Sequence, residues 1–334
     1  MSRAHWRSRL EDIWYAGAPV PAPLAWLESL YRILIDLRRR LYAAGLLRSV
    51  RLPVPVVIVG NLTVGGTGKT PLVAALGAEL RQRGWQPGIA LRGYRGRIAR
   101  ACLLPSDADP RDFGDEAVLL ARSTGLPVAI GRARAQAATV LLRQGCNVVV
   151  CDDGLQHWAL ARDLEVLVVD GERRFGNGRL LPAGPLREDP SRAERVDFTV
   201  VNGGSLRTGE YLMQVSGQRA MSLDGAPRAI ALASLAGRVV HAVAGIGRPE
   251  RFFRMLEAQG IVVHRHPYPD HHDFDGSEFA FGDDLPVLVT EKDAVKCARY
   301  ADPRMLVVPV EADLPAAFLD SLNGALHEIV RSKP

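Results

Sequence analysis

Val59-Gly60-Asn61-Leu62-Thr63-Val64-Gly65-Gly66-Thr67-Gly68-Lys69-Thr70-Pro71 closes the β-branched run Val54 to Val59 and leads into a helical stretch expected from about Pro71 to Arg83. Strand, glycine-rich turn and helix in that order are the context a phosphate-binding loop requires. Thr63 stands where the pattern's first glycine is usual, yet the physical content survives. Gly65, Gly66 and Gly68 let the backbone amides of the loop, from Thr63 and Val64 through Thr67, curl round phosphate oxygens. Lys69 neutralises charge on the β- and γ-phosphates, and Thr70 offers a hydroxyl to Mg²⁺. Lysine is scarce here: only Lys69, Lys292, Lys296 and Lys333 among 42 basic residues. In so arginine-biased a chain, a lysine in the loop points to a need for a compact ammonium.

Outward from the loop, strand-like and helix-like segments alternate: Gly88 to Leu91, Asp115 to Ser123, Pro127 to Ile130, Arg134 to Arg143, Asn147 to Cys151, Glu165 to Val169 and Val196 to Val201. This rhythm predicts an α/β fold with a mostly parallel sheet, a P-loop NTPase-like core over residues 52–225. Arg173 to Arg195 reads as a long functional loop and Gly203 to Pro227 as a polar linker with short strands. A smaller C-terminal α/β domain is expected over 226–334, closed by a helix from Leu314 to Val330. The apolar strand ending in Cys151-Asp152-Asp153 puts two carboxylates at the sheet edge where parallel strands present ligands, a suitable place to organise Mg²⁺.

The chain's net charge of +5 is concentrated. Residues 1–51 hold nine arginines against four acids, which leaves the remainder neutral, and they also carry Trp6, Trp14 and Trp26. A basic excess confined to one segment argues against nucleic acid as the partner of the α/β core. From Leu24 to Tyr42, Leu27, Leu30, Tyr31, Leu34, Leu37, Leu41 and Tyr42 recur at three- and four-residue steps, predicting an amphipathic helix with an apolar face and an arginine flank. Such a helix suits an anionic membrane surface or a groove on its own domain. Charges interrupt any apolar run long enough to span a bilayer. No secretory signal pattern is seen, and four cysteines without paired spacing fit a reducing compartment.

Phosphoryl transfer to a hydroxyl requires a group to take its proton. Asp115 and Glu116 begin a helix, where acids are also simply favourable charge. His264, His266, His271 and His272 crowd within nine residues beside Asp270 and Asp273. They offer either a metal cluster or one histidine paired with a carboxylate. Arg92, Arg95, Arg97, Arg132, Arg134, Arg173, Arg174 and Arg187 are basic candidates for an anionic substrate.

The loop, Leu91-Arg92-Gly93-Tyr94, Gly114-Asp115-Glu116, Cys151-Asp152-Asp153-Gly154-Leu155-Gln156-His157, Leu181 to Glu188, Asp270-His271-His272 and Thr290-Glu291-Lys292-Asp293-Ala294-Val295-Lys296 together resemble the tetraacyldisaccharide 4′-kinases of the Gram-negative lipid A pathway. The resemblance implies ATP- and Mg²⁺-dependent phosphorylation of the 4′-hydroxyl of a tetraacyldisaccharide 1-phosphate by a peripheral enzyme at the cytoplasmic face of the inner membrane, with no obligate protein partner. It implies Asp115 as base assisted by His271, Lys69 on the phosphates, and Thr70, Asp152, Asp153 and Gln156 around metal and γ-phosphate. Glu116 joins the metal set, and Arg187, Glu188 and Arg92 the substrate set. A tetraacylated substrate leaves the bilayer at a cost of about 0.8 kcal/mol per exposed CH₂, which favours the membrane role for the N-terminal helix. The rival readings are a membrane-associated P-loop ATPase switch without a small-molecule acceptor and a His/Asp metal hydrolase. A GTPase fits less well, because Thr290 to Asp293 lacks the guanine-reading spacing.

Overall fold

The computed structural model describes residues 3–98, 100–226 and 228–333. Pro227, at the end of the expected linker, and the side chains of Arg3 and Arg7 lie outside the described residues. Two helices, α1 (Arg3–Tyr15) and α2 (Ala22–Ala43), precede the α/β body. That body begins with β1 (Val56–Gly60), α3 (Lys69–Gln82), β2 (Pro87–Leu91), β3 (Cys102–Leu103), α4 (Pro110–Phe113), α5 (Asp115–Thr124), β4 (Val128–Ile130), α6 (Arg134–Arg143), β5 (Val148–Asp152), β6 (Leu164–Asp170), β7 (Phe198–Asn202) and β8 (Glu210–Ser216). The chain then runs through β9 (Arg219–Ser222), β10 (Ala229–Ala231), β11 (Val239–Ala244), α7 (Pro249–Glu257), β12 (Val262–Pro267), β13 (Val287–Thr290), α8 (Glu291–Cys297), β14 (Met305–Val308), β15 (Glu311–Asp313) and α9 (Ala316–Ser332).

Among the described residues, the first sheet has nine strands in the order β15-β8-β7-β6-β1-β5-β2-β4-β3. Only β3 and β15 run antiparallel to their neighbours. The loop-bearing β1 sits between β5 and β6, and it is buried on both faces, so it reads as an unbroken apolar run. Alternation sends Val57 and Val59 to one face, against Leu72 and Leu76 of α3, Val118 of α5 and Leu322 of α9. Val56 and Ile58 meet the opposite layer, with Ala138 and Leu141 of α6 and, from α2, Tyr31 and Ile35. The second sheet has six strands in the order β10-β9-β14-β13-β11-β12, with its own core around Phe253, Leu256 and Leu288.

Packing fills the expected linker at one place and crosses the expected domain boundary at another. The stretch 203–227 holds β8, which pairs in parallel with β7 and buries Met213 in the first core while Tyr211 and Val215 pack at its edge. Tyr211, Met213 and Val215 share the core-facing side of this strand, and the polar Glu210, Gln214 and Ser216 with the flanking glycines disguise it. Beyond β14 the chain leaves the second sheet: β15 joins the far edge of the first beside β8, and α9 lays Phe318, Leu322 and Leu326 on the first core. Phe318 is fully buried, with its ring 5.5 Å from that of Phe198 and 5.2 Å from that of Tyr211.

The last helix is therefore part of the nucleotide-loop unit's core. Phe318→Ala should destabilise that unit by about 3–5 kcal/mol, the usual cost of an aromatic core truncation. Denaturant unfolding followed by Trp85 fluorescence reads this directly, and a loss below about 1 kcal/mol would contradict the packing.

Candidate active site

The site grows from the carboxyl ends of β1, β5 and β6, where the strand order places the loop between two acid-bearing strands. Gly68 takes φ +96°, and a Cβ there would run into the side-chain amide of Asn202, which donates to the carbonyl of Thr67 at 3.0 Å. Glycine is therefore required for the loop to lie against the end of β7. The loop's entrance is tied to the long loop after β6: Val64 N donates to Pro185 O at 2.9 Å, and Thr63 bridges Leu186. Lys69, at the start of α3, donates to Asn61 Oδ1 at 3.1 Å and lies 3.4 Å from Asp153 Oδ1. The loop opens into a cavity of about 290 Å³ walled by Trp14, Tyr15, Arg173, Arg248 and Asp270.

Asp152 and Asp153 have opposite environments although adjacent. Asp153 takes φ +50° and turns toward cations. Arg187 reaches its two oxygens at 2.8 and 3.0 Å. Burial raises its pKa, but Lys69, Arg187 and Arg134 outweigh that and hold it well below the usual carboxylate range. Asp152 is 2% exposed, and its Oδ1 is buried without a hydrogen-bond partner. Burial and then the charge of Glu116 push it up to about 7, against the pull of Lys69. An orphaned, buried carboxylate oxygen beside a phosphate loop is the donor a hard divalent cation takes. Asp152, with the Thr70 hydroxyl on the first turn of α3, therefore fits Mg²⁺.

Asp115 and His271, 156 positions apart, meet across the cleft between the two sheets: His271 Nδ1 lies 2.7 Å from Asp115 Oδ2. Asp115 starts α5 and is 6% exposed. Burial raises its pKa, but the His271 hydrogen bond and the charges of Lys292 and Lys296 bring it below its ordinary value, so it is a carboxylate at neutral pH. His271 takes φ +60° and is held by both units, with its amide on Gly245 O at 3.2 Å and its carbonyl accepting from Arg95 at 2.9 Å. Further ties keep the units together: Arg248 and Arg251 of the second unit pair with Asp170 at the end of β6. Gly247 approaches Gly66 so closely that a Cβ on it would lie 3.1 Å from the Gly66 nitrogen.

Other expected residues have different occupations. Glu116 Oε1 accepts from Lys292 Nζ at 3.1 Å, so its carboxylate already has a cation. Gln156 bridges Asn61 O, Glu188 at 2.8 Å and Arg187 at 3.2 Å. Arg187 is thus spent on Asp153 and Gln156, and Glu188 is buried between Gln156 and Arg192, its pKa raised by burial. Arg92 stays exposed just after β2. Arg134, counted above with arginines for an anionic substrate, is 6% exposed and donates to the carbonyls of both Asp152 and Asp153, fixing their turn. His264 and His266 do not join His271: His266 bonds His241, and among the described residues no group of three or more His, Cys, Asp and Glu could hold a metal ion. The metal-cluster reading therefore falls. Asn61 and Lys292 are site residues that residue-type reasoning passed over, and Arg134 and Asp270 were named there for other roles.

A family model of tetraacyldisaccharide-1-P 4′-kinase matches residues 20–327. The tetraacyldisaccharide 4′-kinase of Xanthomonas euvesicatoria pv. vesicatoria is 49% identical, over 96% of this chain and 97% of its own length. That of Methylobacillus flagellatus is 47% identical, over 97% of each. The crystal structure of LpxK from Aquifex aeolicus in complex with ATP superposes with a TM-score of 0.77 at 28% identity, covering 91% of this chain and 97% of that one.

The Asp152 environment has a pH signature. Its folded pKa lies above the ordinary value of 3.8, so the stability it contributes is complete below about pH 4 and is lost as pH rises through about 7. Asp152→Asn removes that loss. In chelator, its stability should gain on wild type between pH 4 and 8, by of order 2–4 kcal/mol, seen as a melting-temperature gap that widens with pH, and added Mg²⁺ should raise wild type more than the variant. A gap independent of pH would contradict the assignment.

Proposed function

We propose a course for the reaction at this site from the premise that the chain belongs to the tetraacyldisaccharide-1-P 4′-kinase family. Its activity is ATP-dependent phosphorylation of the 4′-hydroxyl of a tetraacyldisaccharide 1-phosphate, and the reading of an ATPase switch without an acceptor is set aside. The observation that carries the residue assignment is the 2.7 Å contact of His271 with the buried, ionised Asp115.

ATP places its phosphates on the amides from Thr63 to Gly68, and Lys69 leaves Asn61 and Asp153 to take β/γ charge. Asp152 and Thr70 would hold Mg²⁺, which would supply charge neutralisation on the phosphates. Asp115 accepts the proton of the 4′-hydroxyl as the oxygen–phosphorus bond forms and the bond from the γ-phosphorus to the β,γ-bridging oxygen breaks. The bridging oxygen departs with ADP, and His271 holds the Asp115 carboxylate in line. Arg92, exposed just after β2, is a basic group for an anionic part of the lipid.

The lipid is met at a membrane surface. α2 docks through one side only: Glu28 is buried, accepting from Arg179 at 2.7 Å and from Leu180 N at 3.0 Å, and Tyr31 donates to Arg187 O at 3.0 Å. Tyr31, counted above with the apolar face, thus points inward. Trp26, Leu27, Leu30, Ile33, Leu34 and Leu37 are all more than 40% exposed. At about 100° per residue they share an arc of roughly 120°, and each contributes roughly 1 kcal/mol or more when buried. An exposed apolar arc of this size flanked by arginines is the chemistry of an interfacial helix. No helix among the described residues is long and apolar enough to cross a membrane.

Asp115→Ala should lower transfer of label from γ-labelled ATP to a tetraacyldisaccharide 1-phosphate by about 10²–10⁴-fold while ATP binding is kept; near wild-type transfer would overturn the role. Leu30→Ser/Ile33→Ser/Leu34→Ser should cut partition to anionic vesicles at least about tenfold while activity on detergent-dispersed substrate holds. Unchanged partition would overturn the docking.

A further inference from the structure

Lys292, the second residue of α8, stands among four groups of the cleft. Its Nζ lies 3.1 Å from Glu116 Oε1, 3.3 Å from Asp270 Oδ1 and 3.5 Å from His271 Nε2, and 4.0 Å from Asp115 Oδ2. The helix that carries it is anchored. Thr290 caps it, accepting from Asp293 N at 3.1 Å, and the buried Asp293 carboxylate takes the amide of Gly245 at 2.8 Å, next to the loop bearing His271. Lys292 thus reaches the dyad from a fixed base.

An ammonium has three donors and no acceptor. Three of its neighbours, at 3.1, 3.3 and 3.5 Å, match those donors, and one is a ring nitrogen. A nitrogen that accepts from an ammonium carries no proton, so the single proton of a neutral imidazole is on the other nitrogen, facing Asp115. We propose that Lys292 is a positioning residue for the transfer step: by donating to His271 Nε2 it keeps the imidazole proton on Nδ1, where it is donated to Asp115, and it holds Glu116 and Asp270 away from the ring. This rests on the assignment of Asp115 and His271 to the reaction. Without the ammonium, Nε2 has an alternative partner in Asp270 Oδ2, 3.7 Å away. A proton on Nε2 would turn to Asp270 and leave two acceptors, Nδ1 and the Asp115 carboxylate, opposed at 2.7 Å. Burial lowers the lysine's pKa, but Glu116, Asp115 and Asp270 more than restore it, so the group remains a cation.

The test is a double-mutant cycle on the full chain with ATP and a tetraacyldisaccharide 1-phosphate, comparing wild type, Lys292→Met, His271→Gln and the pair. Lys292→Met should lower kcat about 10–100-fold with the KM for ATP changed less than threefold. In the His271→Gln background it should cost severalfold less than in wild type, because only its charge beside Asp115 and Glu116 is then lost. Lys292→Arg, which keeps donors and charge, should recover at least part of kcat and takes the place of the methionine variant if that one does not fold. Wild-type ¹⁵N spectra of the imidazoles should show His271 protonated on Nδ1. The proposal is overturned if the lysine variant keeps kcat within twofold of wild type, if its cost is the same with and without His271, or if His271 carries its proton on Nε2. Full activity of Asp115→Ala would instead remove the dyad assignment, a separate result.

Discussion

Everything in the cleft answers to one electrostatic problem: Asp115, Glu116, Asp152 and Asp153 of the first unit and Asp270 of the second gather in the cleft between the two sheets, in a place that must then receive a polyphosphate. Each carboxylate needs a cation or a proton, because buried like charges are costly. Asp153 has Lys69 and Arg187; Asp115, Glu116 and Asp270 share Lys292. Asp152 has no such partner, and it is the one whose pKa is driven up to about 7. The imbalance is useful: the residue left short of positive charge is the one where a divalent cation gains most, and Lys69 is held 3.1 Å from Asn61 Oδ1 and 3.4 Å from Asp153 at the start of α3.

The same network reaches the outer surface. Glu28 and Tyr31 of α2 grip Leu180 and Arg187 through the backbone, and Arg187 holds Asp153 and Gln156. Gln156 in turn contacts Asn61, which holds Lys69. The helix proposed to meet the membrane is thus joined to the nucleotide loop by a short run of hydrogen bonds. That arrangement fits an acceptor that is lipid at one end and a reacting hydroxyl at the other.

Much of this was legible in the residues. The β-branched run before the glycines and the helix after them located β1, the loop and α3, and the apolar strand ending in two acids located Asp152 and Asp153. The pairing of Asp115 with His271 spans 156 positions, so periodicity could not join them; only the resemblance of motifs did. β8 was legible only as a short strand in a linker, because polar Glu210, Gln214 and Ser216 dilute its apolar side between glycine-rich turns, and the placement of α9 was not, because nothing local says which sheet an amphipathic helix covers. Arg134 looked like a surface cation until burial showed it satisfying the Asp152 and Asp153 carbonyls. Lys292 did leave a signal: two of only four lysines lie in Thr290 to Lys296, and an ammonium kept in an arginine-rich chain marks a point charge that a planar guanidinium does not replace.

If Asp152 is the carboxylate left without a cation, nucleotide binding must discharge its proton. Calorimetry of Mg²⁺-ATP binding near pH 7, in two buffers of different ionisation enthalpy, counts the protons released. Wild type should release roughly half a proton per site more than Asp152→Asn. Equal release by the two proteins would contradict the account.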